Sequence, residues 1–241
     1  MHYGVIALLA AGSLAACSTG DTDNPGIAPT GSGTTRSYAV DGFSAISLSG
    51  SDDVDVRAGT AFSVRAEGPV DELDRLRITK DGETLDIGRK RNGWRFGSQD
   101  TITVYVTLPR LAEANITGSG TMTVDRIDGS RFEANIAGSG DLNIAALTTE
   151  DAAVSIAGSG DVRAGGAVQR LKASIAGSGS LDAAGLRATR AEVSVAGSGS
   201  ARAAVTGEAT VEVKGSGDVD LGAAARCTVA KRGSGSVRCG R

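Results

Sequence analysis

Short runs of alternating apolar and polar residues fill the chain beyond about residue 110, and they return at a near-constant interval. The triplet Gly-Ser-Gly begins at Gly118, Gly138, Gly158, Gly177, Gly197, Gly215 and Gly233, giving spacings of 20, 20, 19, 20, 18 and 18 residues. Two residues before each triplet stand Ile116, Ile136, Ile156, Ile175, Val195 and Val213, and four before stand Ala114, Ala134, Val154, Ala173, Val193 and Val211. Two residues after come Met122, Leu142, Val162, Leu181, Ala201, Val219 and Val237, and two further on Val124, Ile144, Ala164, Ala183, Ala203, Leu221 and Cys239. Successive side chains of a pleated strand point to opposite faces, so this alternation predicts one strand entering and one leaving each triplet. Asn135, Asn143, Ser155, Arg163 and Ser174 are then outward positions.

A unit of this length with glycine corners and no helical periodicity predicts an all-β fold in which each repeat is one coil of a parallel β-solenoid. Coils stacked about 4.8 Å apart would align identical residues into ladders. The corners fall to Gly118 and Gly120, Gly138 and Gly140, Gly158 and Gly160, Gly177 and Gly179, Gly197 and Gly199, Gly215 and Gly217, and Gly233 and Gly235. Glycine reaches positive φ without a Cβ clash, and its missing side chain lets corners pile up in register.

Upstream the pattern loosens. Ile46, Leu48, Gly50-Ser51-Asp52, Val54 and Val56 read as a degenerate coil with aspartate in place of the third glycine. Asp81-Gly82, between Ile78 and Leu85-Ile87, is a hairpin turn. The stretch from Gly88 to Asp100 separates that strand from Ile102-Val104-Val106-Leu108. We therefore divide the solenoid domain, residues 38–241, into irregular coils at 38–110 and regular repeats at 111–241.

Phe43-Ser44-Ala45-Ile46, Ser51-Asp52-Asp53-Val54-Asp55-Val56, Leu85-Asp86-Ile87, Val104-Tyr105-Val106-Thr107-Leu108-Pro109 and the repeated Gly-Ser-Gly-Asp corners together resemble the head GIN domain family. The resemblance runs over roughly residues 40 to 225. It implies a right-handed parallel β-helix in a bacterial envelope protein, and it brings no catalytic residues with it. The family is named for auto-transporter adhesins and its function is unknown.

The N-terminus reads as an address. Residues 5 to 16 form an apolar run of signal-peptide length, too short for a membrane span, and Leu14-Ala15-Ala16-Cys17 matches the bacterial lipobox. Residues 1–16 are thus expected to be a lipoprotein signal peptide, although Met1-His2-Tyr3 lacks the usual basic residue. Cys17 is the expected lipidation site and membrane anchor, and Ser18 after it fits release to the outer membrane. Residues 17–37, rich in Ser, Thr, Gly, Asp and Pro, are expected to be the lipidated cysteine and a flexible linker.

Composition narrows the chemistry. The 241 residues include 35 glycines, and none of the few aromatics lies beyond Phe132, so the later coils must pack with small aliphatic side chains. A net charge of −3 argues against a nucleic-acid partner. The single histidine, His2, lies in the segment expected to be removed, which leaves no imidazole for catalysis or metal binding. Aspartate follows the triplet only at Asp141, Asp161 and Asp218, with no second glycine motif at half-period, so no calcium ladder is expected. No cofactor motif is present.

The function that follows is non-enzymatic: a lipid-anchored envelope protein that presents a solenoid surface to an envelope or extracellular ligand, as an adhesin or interaction module. A polysaccharide-acting β-helix enzyme and a purely structural spacer are the alternatives. The enzyme would need converging carboxylates, whereas Asp125, Glu133, Asp141, Glu150, Asp161, Asp182 and Glu192 are expected to share no column over several coils. Arg89, Lys90, Arg91 and Arg95, with Trp94 and Phe96, form a possible contact surface for anionic headgroups, or else a solvated loop over the first coil. Arg226, Lys231, Arg232, Arg238 and Arg241 read as protection of an open sheet edge. Cys227 continues the apolar column of Ala112, Phe132, Ala152, Leu171, Ala191 and Ala209, and Cys239 ends another. Both thiols should point into the same coil and form a structural disulfide, the alternative being two unpaired small core residues.

Overall fold

The apolar columns point inward in the computed structural model, which describes residues 24–90 and 100–240. In chain order the first part holds β1 (Thr35–Tyr38), β2 (Ala45–Gly50), β3 (Asp53–Ala58), β4 (Ser63–Glu67), a one-turn helix α1 (Val70–Leu73), β5 (Leu76–Asp81), β6 (Thr84–Arg89), β7 (Thr103–Leu108) and β8 (Glu113–Gly118). Four long strands follow, β9 (Thr121–Gly138), β10 (Asp141–Gly158), β11 (Asp161–Gly177) and β12 (Ser180–Gly197). The last are β13 (Ser200–Val205), β14 (Glu208–Gly215), β15 (Asp218–Asp220), β16 (Arg226–Arg232) and β17 (Val237–Arg238).

The repeats stack as a parallel β-solenoid in the register that the triplets predict. Ile136, Ile156, Ile175 and Val195 pair in succession, and all are buried. At the corners from Ser119 to Ser216 the serine amide donates to the first glycine carbonyl of the preceding coil: Ser139 to Gly118 at 2.8 Å, Ser159 to Gly138 at 2.8 Å, Ser198 to Gly177 at 2.9 Å. The two glycines answer different demands. The first in every triplet has φ between 120° and 133°, which side-chain-bearing residues rarely adopt. The third has ordinary φ, but a Cβ on Gly140 would stand 2.6 Å from Ile116 Cγ2 of the preceding coil.

Each coil has a further short face that the spacing does not reveal. Ile127, Leu147 and Leu186 form one buried column there, and Thr149, Val168, Ala188 and Val205 another. Register shifts lie between Ile144 and Leu147, between Arg163 and Gly166, and between Ala183 and Arg187. Variation in coil length is thus taken up mainly at the corner entering this face, and the ladders beside Gly-Ser-Gly stay aligned.

The coil read from Ile46 to Val56 is present, but it is not the end of the stack. β2 pairs with both β6 and β8, and β3 with both β7 and β9, so the later-synthesised β6–β7 coil lies outside the β2–β3 coil. Antiparallel strands then cover it. β5 returns along β6 through the Asp81–Gly82 hairpin, β4 runs against β7, and β1 against β4. Antiparallel cover matters because an open parallel edge is a template for unwanted pairing. The later part of the segment expected to be a linker, residues 17–37, lies within the fold. The Ile27 amide donates to Ile78 O at 2.8 Å and Thr30 bridges to Ser37, so the fold takes up the chain from about residue 26.

Cys227 stands in register with Ala209 and is bonded to Cys239, with 6.1 Å between their Cα atoms.

Candidate functional site

The first charge cluster lies at the outer coil. Asp52 occupies the corner position that is glycine in later coils, and it is 0% exposed. Its Oδ2 accepts from Arg89 Nε at 2.9 Å and its Oδ1 from the Ile102 amide at 3.1 Å. Arg89 also donates to Glu72 on α1 and to Asp100 O at 3.1 Å. Hydrogen bonding to Asp52 raises the guanidinium above its ordinary value, against the opposing effect of burial. The cluster therefore ties the end of β6, at Arg89, and the chain entering β7, at Asp100 and Ile102, to the coil beneath.

This overturns the reading of Arg89 as a surface contact: its side chain is 12% exposed and faces two carboxylates. Lys90 is half-buried, its Nζ donating to Asp74 O at 2.8 Å. Arg91, Trp94, Arg95 and Phe96 lie outside the described residues, as does Cys17.

A second cluster lines a groove of about 550 Å³ on the solenoid flank. One outward column supplies Arg131, Asp151, Arg170, Arg190 and Glu208, and the next supplies Ala153, Lys172, Glu192 and Thr210. The pattern follows from the strand pleat, since each member of the first column precedes a buried residue such as Ala152, Leu171 or Ala191. Arg170 bonds Asp151 through both Nε and Nη2, the latter at 2.6 Å. That hydrogen bonding, with the neighbouring guanidinium charge, holds Asp151 below its ordinary carboxylate value. Lys172 Nζ lies 3.3 Å from Glu192. Among the described residues Arg190 and Glu208 have no ion-pair partner. One unengaged carboxylate does not make an acid–base couple for glycoside cleavage.

Acidic residues share this column on two adjacent coils only: Asp141 and Asp161 are register partners, with Thr121 before them and Ser180 after. Their oxygens are occupied by the next coil, Asp161 N–H donating to Asp141 Oδ1 at 3.2 Å and Ser180 N–H to Asp161 Oδ1 at 3.1 Å. The aspartate of Gly-Ser-Gly-Asp is thus a corner brace. Among the described residues no group of three or more His, Cys, Asp or Glu could hold a metal ion, and no helix is long and apolar enough to cross a membrane.

A family profile described as "Putative auto-transporter adhesin, head GIN domain" matches residues 42–225. No curated protein matches the chain in sequence. Among solved structures, a putative adhesin from Bacteroides fragilis NCTC 9343 is similar at TM-score 0.74 and 20% identity, over 85% of this chain and 95% of that one. A putative lipid binding protein from Parabacteroides distasonis ATCC 8503 aligns at TM-score 0.66 and 25% identity, covering 86% and 96%. A putative adhesin from Parabacteroides merdae ATCC 43184 gives 0.67 and 18%, covering 86% and 96%.

Proposed function

The chain belongs to the head GIN domain family, and we propose that it serves as a non-enzymatic, lipid-anchored module of the bacterial cell envelope whose solenoid flank meets a ligand. The observation that carries this reading is the regular exterior. Parallel ladders hold outward side chains on successive coils in fixed register, from the β2–β3 coil to β17, over a core of aliphatic residues. Such a frame presents a long repeated surface, the arrangement repeat proteins use for binding. The adhesin names carried by the family and by two of the similar structures agree with that use.

The anchor in this reading is Cys17, with Ser18 directing it to the outer membrane. Since the fold takes up the chain near residue 26, the span from residue 18 to residue 26 is what separates lipid from head. The head would then sit close to the membrane, its β1–β4–β5 cover nearest the lipid and its later coils farthest away.

Fractionation and protease shaving of intact cells test this together. Wild-type protein is expected in the outer-membrane fraction and to be trimmed by external protease, while Cys17→Ala should move to the soluble fraction. A membrane-bound Cys17→Ala would sink the anchor. Full protection of the wild-type protein from protease would sink adhesion to an external surface.

A further inference from the structure

We propose that a cleft at the uncovered end of the short face binds a small aliphatic monocarboxylate, its carboxylate held by Arg110. This site goes beyond the surface-presenting reading above and does not depend on it.

The cleft arises where two paired strands part. β3 and β9 run in register from Asp53–Thr121 to Val56–Val124, and there their pairing stops. β3 stays with β7 as far as Ala58–Leu108 and then turns off toward β4, whereas β9 continues through Ile127 into the short face. Asp125 marks the parting, its Oδ1 accepting the Ala58 amide at 2.9 Å. On one side β10 covers the short face of β9, Leu147 pairing with Ile127 and Thr149 with Gly129. On the other side no strand among the described residues pairs with it, and a space of about 280 Å³ lies between the two branches.

The inner wall of this space is apolar, formed by the buried Val56, Leu108 and Leu111 with the half-buried Ala58 beside them. The rim is exposed and carries one uncommitted charge. Arg126 and Asp128 hold each other at 2.9 Å, and Asp125 accepts from the Ala58 and Arg126 amides. Arg110 has no hydrogen bond or ion pair among the described residues. Its guanidinium lies along Gly129, where an added Cβ would stand 3.1 Å from Arg110 Nε, so the missing side chain makes room for it. The lining thus holds two cations, Arg110 and Arg126, against one anion, Asp128, and the unpaired member is positive.

An apolar wall beside an unpaired guanidinium selects an amphipathic anion. Removal of apolar surface from water draws in the tail, and the guanidinium takes a carboxylate through two parallel N–H donors. A bare inorganic anion would leave the wall wet, and a second negative charge on the ligand would meet Asp128. Volume bounds the tail. Since a water molecule occupies about 30 Å³ of the liquid, the space corresponds to roughly nine heavy atoms, a carboxylate carrying about six further carbons.

An NMR titration of the full chain with hexanoate, followed at the methyl groups of Val56, Leu108 and Leu111, tests the site, with hexanol, acetate and decanoate as comparisons. Hexanoate is expected to shift these methyls saturably, and hexanol and acetate to bind at least about tenfold more weakly, since each lacks one half of the recognition. Decanoate should bind less than about tenfold tighter than hexanoate, whereas four more buried methylenes, at about fourfold each, would give on the order of a hundredfold. Arg110→Gln should reduce hexanoate binding to the level of hexanol without moving the melting temperature, because its side chain has no partner to lose. Thr60→Trp, a replacement at the exposed rim that fills the cleft, should abolish binding, and Arg187→Gln, exposed farther along the same face, should leave it unchanged. Absence of saturable shifts at the three methyls, hexanol binding as tightly as hexanoate, or an unchanged affinity in Arg110→Gln would overturn the proposal. So would an affinity that climbs the full hundredfold to decanoate, since that would mark adsorption on an open apolar surface.

Discussion

Arg89 Nε meets Asp52 Oδ2 at 2.9 Å across two neighbouring coils, at the corner position where the regular coils carry glycine from Gly120 onward. The pairing joins residues 37 apart in sequence and closes the outer coil without the Gly-Ser-Gly device. Asp52 is fully buried, so removing Arg89 leaves an uncompensated charge in the interior. Breaking a buried pair from one side costs about 3–5 kcal/mol.

We therefore expect Arg89→Ala to lower the urea midpoint strongly, with the loss concentrated in β1 and β4–β7. Asp52→Asn/Arg89→Leu, which removes both charges, should recover part of it, because the penalty arises from the orphaned partner. A midpoint unchanged in Arg89→Ala would mean that Asp52 is held by the Ile102 amide alone.

Gly138→Ala tests the corner. The residue has φ 124°, and an added Cβ would stand 2.5 Å from Gly118 O, a carbonyl that accepts the Ser139 amide. Strain from the disfavoured backbone region alone costs of order 1–3 kcal/mol, and the clash with backbone adds to it. The melting temperature should fall by at least about 4 °C, by the usual relation of stability to melting for a chain of this size. Ser139→Ala, whose side chain is exposed, should melt like the wild type.

The ladders were legible because seven triplets keep one spacing relationship to the apolar columns beside them, so pattern and pleat agree residue by residue. The short face holding Leu147 and Leu186 was not. Gly166 stands in that column where a large apolar residue would mark it, and the register shifts entering the face blur its period. The outer coil was hidden for another reason: its corner lacks the triplet, and nothing local in Leu85–Ile87 signals stacking on Ile46 and Leu48. For the groove, the charges were readable singly, but the like-charged rung of Arg170 and Arg190 emerges only once the register fixes which residues are neighbours.

Asp218 gives a pH dependence. Hydrogen bonds from Ser236, first from its hydroxyl at 2.6 Å and then from its amide at 2.9 Å, lower the carboxyl below its ordinary value. A carboxylate lowered in the folded state stabilises fully above the ordinary carboxylate range and loses that contribution as pH falls through the lowered value. The contact is thus intact at neutral pH and loosens only in acid below about pH 4. In an NMR titration, Ser236→Ala should move the Asp218 midpoint upward toward the ordinary range. An unmoved midpoint would show that the Ser236 hydroxyl is not its donor in solution.

The disulfide between Cys227 and Cys239 closes a short loop, the two residues being 12 apart. It joins β16, paired with β14 on one side, to the chain just past β17, paired with β15. A loop of this size is worth about 2–3 kcal/mol through the unfolded chain. In a stack where each coil contacts only its neighbours, that stabilisation stays local. Double replacement by alanine should therefore raise amide exchange in β15 to β17 while leaving β9 to β11 near wild-type protection. Adding reductant to the wild-type protein should reproduce the same local pattern. Equal loss of protection along the whole solenoid would show that the coils unfold as one unit and that the bridge does not act as a staple for its own coil.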